Sequence, residues 1–173
     1  MKIIVKSDWL PFSAPAKLRQ EIQGAILNGK SLTASGLSAP EGSYCVEKSL
    51  QVAGNPSKLL ASLQDLGRGE GGLAEERLFL KGFALSRLGR AREAGECFAQ
   101  LPKTFEGRVQ TERALVLLNQ GDFLGAEALF SQAHRAAEEG LDPFSACTLL
   151  GGWTLASIQR GGFAQAEACL RNR

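Results

Sequence analysis

The sequence predicts an all-α fold made of stacked helix hairpins. Two observations carry this: a glycine-punctuated register that recurs four times, and apolar residues spaced by three or four in the segments between. The recurring stretches are "AGNPSKLLASLQDL", "LGRAREAGECFAQL", "QGDFLGAEALFSQA" and "RGGFAQAEACLRNR". Their glycines, Gly54, Gly89, Gly121 and Gly161, stand 35, 32 and 40 residues apart. Each is followed five residues later by Leu59, Ala94, Ala126 or Ala166, and nine residues later by Leu63, Phe98, Phe130 or Leu170.

Taken in order, "MKIIVKSDWLPFSA" fits a short strand and an extended arm equally well. A helix then starts near Pro15, with Leu18, Ile22, Ala25 and Ile26 at helical spacing; Asn28–Gly29 caps its C-terminus and Lys30 sits beside its negative end. Residues 1–40 thus form an N-terminal arm and helix, readable as a degenerate repeat, and 41–173 the helical repeats. At each register glycine one helix ends, because glycine tolerates the left-handed conformation, and the next begins; Asp122 can cap by accepting an orphan N–H. The small residue five later is expected to admit a neighbouring helix closely, and the bulky one nine later to fill the space beside it. The preceding segments supply the partner helices, through Leu78, Gly82, Leu85 and Leu88, then Val109, Ala114, Leu117 and Leu118. Another opens at Asp142 as N-cap with Pro143 in the first helical position.

This register resembles the tetratricopeptide-repeat family over about residues 41 to 173, most closely at "QGDFLGAEALF". Only Gly82 keeps the family's small glycine seven residues before the turn; Glu47, Ala114 and Thr154 hold the equivalent places. The 40-residue interval is similar to the longer repeats of bacterial signalling and transcription regulators of the MalT-like class. The resemblance implies a right-handed α-α superhelix whose first helices line a concave groove. On it, the groove would be faced by Tyr44, Lys48 and Gln51, by Phe79, Phe83 and Arg87, by Thr111, Leu115 and Asn119, and by Leu155 and Gln159. Lysine and asparagine, which clamp a C-terminal carboxylate in some members, are replaced here by Phe79 and Phe83, so an amphipathic helix or apolar peptide is the expected ligand. Packing as core is the alternative for those two phenylalanines.

Two short patterns point elsewhere. "GAILNGKS" at 24–31 satisfies the phosphate-loop pattern and "GRGEGG" at 67–72 the dinucleotide one. Both chemistries need a strand leading into the glycine turn and a helix leaving it. Here a helical pattern enters each, and a glycine- and proline-broken stretch leaves the first, so the first reads as a helix C-cap and the second as a linker. No cofactor is called for.

Composition sets the remaining bounds. The chain of 173 residues carries 20 basic and 18 acidic side chains, eight and six of them through Gly72, with no cluster dense enough to attract nucleic acid. No run is apolar enough for a membrane span, and Lys6 and Asp8 interrupt the N-terminus before an export signal forms, so a cytoplasmic protein is expected. Cys45, Cys97, Cys147 and Cys169 are far apart with one histidine in the chain, which argues against a metal site and for reduced thiols packed as small hydrophobes. His134 reads as solvated on a polar helix face beside Glu138, and the carboxylates of "EERL" and "AAEEG" as surface charges.

The functional expectation is a non-enzymatic module that binds a protein partner in its groove, with a regulatory or sensor segment of a bacterial transcription regulator as the alternative. A nucleotide-binding protein ranks below both. No capping helix follows the last repeat, so Ala166, Cys169 and Leu170 are expected to be uncovered, to be met by a twofold dimer or by further chain.

Overall fold

The computed structural model describes residues 3–28, 37–64, 72–137 and 140–171. Among these it is all-helical, with nine α-helices: α1 (Ala16–Leu27), α2 (Ala39–Val52), α3 (Pro56–Gln64), α4 (Gly72–Arg87), α5 (Ala91–Phe98), α6 (Glu106–Asn119), α7 (Phe123–Ala136), α8 (Pro143–Gln159) and α9 (Phe163–Leu170). A single 3-10 turn, Lys103–Phe105, leads into α6. The chain divides into two compact units, one of Leu10–Leu101 and one of Met1–Trp9 with Pro102–Arg173.

Four hairpins, α2/α3, α4/α5, α6/α7 and α8/α9, are closed by one device repeated. Gly54, Gly89, Gly121 and Gly161 have φ of 65°, 77°, 82° and 76°, the left-handed conformation the register demands. The residue after each glycine donates its N–H five residues back, to Leu50, Leu85, Leu117 and Ser157 O, at 2.8–3.0 Å. Each glycine N–H reaches three back, to Gln51, Ser86, Leu118 and Ile158 O. This is the Schellman closure, which satisfies carbonyls that the helix end leaves open. A carboxylate caps the helix after the Gly121 turn, and another caps the helix that opens the last hairpin. Asp122 accepts from the Gly125 N–H at 2.9 Å, and Asp142, followed by Pro143, from the Ser145 N–H at 3.1 Å.

The residues five after each glycine are buried in all four hairpins. The bulky residues nine after diverge: Phe98 and Phe130 are buried, Leu63 is half-buried and Leu170 is exposed. The space they fill also differs from expectation, since it is a glycine on another helix rather than the small residue on their own. A Cβ added to Gly82 on α4 would lie 2.4 Å from the Phe98 ring, and one added to Gly152 on α8 2.4 Å from the Phe130 ring. Around Phe130 the core of its unit gathers Ala114, Leu118, Ala126, Leu149, Trp153 and Cys169, with Ile3 packed against it.

The N-terminal stretch is neither of the two simple alternatives. Val5 makes one isolated parallel bridge with Leu141, through Lys6 N–H to Leu141 O at 2.8 Å and Leu141 N–H to Ile4 O at 2.9 Å. Further on, in the other unit, Leu10 is buried and Phe12 meets Tyr44 edge-on, ring centroids 6.1 Å apart.

Candidate functional site

The groove reading asks its residues to face solvent. In the Leu10–Leu101 unit they do not. Tyr44, Lys48 and Gln51 on α2 and Phe79 and Phe83 on α4 are all buried, where α2 packs against α1, α3 and α4. Phe79 instead stacks on Phe98 at 5.9 Å, so for Phe79 and Phe83 the core alternative describes the packing. Arg87 alone of that set is exposed, its guanidinium 5.0 Å from the Phe83 ring.

The buried polar character of α2 has a centre that the spacing did not reveal. Glu47, at the place where α4 carries Gly82, is buried and accepts from Arg77 Nε at 3.0 Å. Arg77 also donates Nη2 to the Pro40 carbonyl at 2.8 Å, so α2 and α4 are joined by an ion pair instead of a close approach. Burial pushes the Glu47 carboxyl above its ordinary value while Arg77 pulls the other way. In "EERL" the arginine is therefore internal, although Glu75 is exposed as expected.

The other unit treats the same repeat positions differently. Thr111 is buried and returns its hydroxyl to Gly107 O at 2.8 Å. Leu115 is half-buried against the Phe130 core, whereas Asn119, Leu155 and Gln159 are exposed. Along α8, Cys147, Gly151, Leu155 and Ile158 form an exposed stripe at spacings of four, four and three, which keeps one side of a helix in register. Beside it lies an apolar cavity of about 490 Å³, lined among others by Val5, Ala146, Leu150, Thr154, Cys169 and Leu170. Phe163, at the start of α9, is 70% exposed.

This bears on the end of the last hairpin. Ala166 and Cys169 are covered by α8 and its surroundings, contrary to expectation, while Leu170 remains 45% exposed. Cys147 is likewise exposed rather than packed. Cys45, Cys97 and Cys169 are buried and free; burial, with Glu41 and Glu47 near, pushes the Cys45 thiol up to about 11, which leaves it inert at neutral pH. His134 is half-buried, its ring 5.9 Å from Trp153, and that partial burial lowers its pKa.

Of the phosphate-loop match, Gly24 to Asn28 are described and belong to α1 and its cap, where Asn28 returns its side-chain amide to Gly24 O at 2.7 Å. Gly29, Lys30 and Ser31, most of "GRGEGG", and Glu138 lie outside the described residues. Among the described residues no three His, Cys, Asp or Glu side chains gather to hold a metal, and no helix is long and apolar enough to cross a membrane. Comparison with protein-family models, with curated proteins and with solved structures gives no match.

Proposed function

We propose that the chain is a non-enzymatic, cytoplasmic interaction module of tetratricopeptide-like helix hairpins, and that it binds an amphipathic helix of a partner protein. The observation that carries this is the exposed apolar stripe of α8. Small side chains at Cys147 and Gly151 let a second helix approach closely, and Leu155 and Ile158, 47% and 42% exposed, offer anchoring surface a turn further on. Such a surface in contact with water loses roughly 25 cal/mol for each Å² a partner could cover. The neighbouring cavity suits one larger apolar side chain from the partner. The free thiols fit a reducing compartment.

The test is affinity capture from the native host with three forms of the full chain. Wild type and Leu124→Glu, a change at an exposed α7 site, should retain the same partner, and Leu155→Glu/Ile158→Glu should lose it. Retention by the double variant would refute the α8 surface as the binding site.

A further inference from the structure

From Pro143 to Gln159, α8 carries no charged residue. A helix without a charged face belongs inside a fold, yet this one is enclosed on one side only. Leu149, Trp153 and Ala156 join the Phe130 core, while Cys147, Gly151, Leu155 and Ile158 run along water on the other side.

The order of side chains in that stripe selects its occupant. The first half is small and the second half large. At Gly151 an added Cβ would meet open space, whereas Leu155 and Ile158 project as exposed knobs. The apolar cavity of about 490 Å³ lies beside the small half: Cys147 and Gly151 line it with Val5, Leu150 and Leu170, and Leu155 and Ile158 are not among its described lining residues. One helix thus carries a hollow at one end of its stripe and the knobs at the other.

Turned end over end, such a stripe is its own complement. A twofold axis passing between Gly151 and Leu155 sets two copies of α8 antiparallel. It brings Leu155 of each copy onto Gly151 of the other, and Ile158 onto Cys147, beside the hollow. Each contact then occurs twice, as an isologous interface requires. The pairing buries no charge of α8 and sets opposite ends of the two helix dipoles together. We propose that, without its partner protein, the chain forms a twofold dimer in which α8 of a second copy fills this stripe, so that a partner helix must displace it. The dimer rests on the reading of the stripe as an interface, and it places the self-contact on α8 rather than around Leu170.

Sedimentation equilibrium of the purified full chain, with no other protein present, tests it. Wild type should be a dimer that dissociates on dilution, Leu155→Glu/Ile158→Glu should stay monomeric, and Leu124→Glu, at an exposed site on α7, should dimerise as wild type does. Because Leu155 and Ile158 are exposed, far-UV circular dichroism should show the double variant folded. Ile158→Cys reads the register: under a mild oxidant it should form a disulfide between Cys147 of one copy and the introduced thiol of the other. Wild type should not cross-link, because the antiparallel order holds the two copies of Cys147 roughly 16 Å apart along the axis, beyond the ~7 Å that a disulfide spans between Cα atoms. A wild type monomeric at every concentration, a dimer that survives the double glutamate variant, or wild-type chains joined through Cys147 of both copies would each overturn the proposal. A monomeric wild type that still captures a partner through Leu155 and Ile158 would overturn the dimer alone. A dimer that the double variant dissolves, with partner capture unchanged, would support the self-contact and overturn the partner reading alone.

Discussion

The first helices of the hairpins closed at Gly54 and at Gly161 end in the same turn, yet one buries its groove positions and the other leaves an apolar stripe open. α2 buries Tyr44, Lys48 and Gln51, whereas α8 leaves Cys147, Gly151, Leu155 and Ile158 in water. The turn is local, so a glycine and its neighbours specify it wherever they recur. Whether a helix face is covered depends on what arrives from far along the chain. On α2 that includes Phe12 against Tyr44 and Arg77 against Glu47, separated from their partners by about thirty residues. Repeat position therefore fixes which way a side chain points, and long-range packing decides whether it can bind anything.

If the α2–α4 face is core, Phe79→Ala should cost about 3–5 kcal/mol in denaturant unfolding, against under about 0.5 for the exposed Leu155→Ala. Near-equal losses would break the contrast. The ion pair gives a sharper form of it. Arg77→Met alone strands the Glu47 carboxylate and should cost about 3 kcal/mol, while Arg77→Met with Glu47→Leu should recover most of that, because two apolar side chains leave no buried charge. A double variant no better than the single would mean that the pair itself, not the stranded charge, holds α2 to α4.

Gly152→Ala should cost about 1–3 kcal/mol through collision with the Phe130 ring. Gly151→Ala, one residue along and open to solvent, should be neutral or slightly stabilising. The smallest effect is in pH. Burial lowers the pKa of His134 below its ordinary 6.5, so the folded chain resists a proton that the unfolded chain takes. Stability should be full above pH 6.5 and fall as pH drops through that value, and His134→Gln should remove this part of the slope. An unchanged slope in that variant would place the histidine in water after all.

The hairpins were legible because each is a short-range object: a left-handed glycine, a capping aspartate, a proline at the first helical position. The start of α2 went unread in "SAPE", which reads only as part of a glycine- and proline-broken stretch, although the Ser38 N–H meets Glu41 Oε2 at 2.7 Å as a capping box does. What periodicity could not supply was the partner of each face. Glu47 occupied the position that Gly82 holds on α4, and a carboxylate in a close-approach position signals a buried cation opposite, but nothing local names Arg77. Gly152 rather than Thr154 receives Phe130, because the ring enters from α7 at a height that the turn register does not set.

Amide hydrogen exchange of the chain, alone and with the captured partner, puts the binding claim to the most direct test. The account predicts slower exchange over 147–159 and the start of α9 in the complex, with α2 and α4 unchanged. Protection confined to α2 and α4, around Tyr44, Phe79 and Phe83, would contradict it, since it would show the partner entering the face that packing has closed.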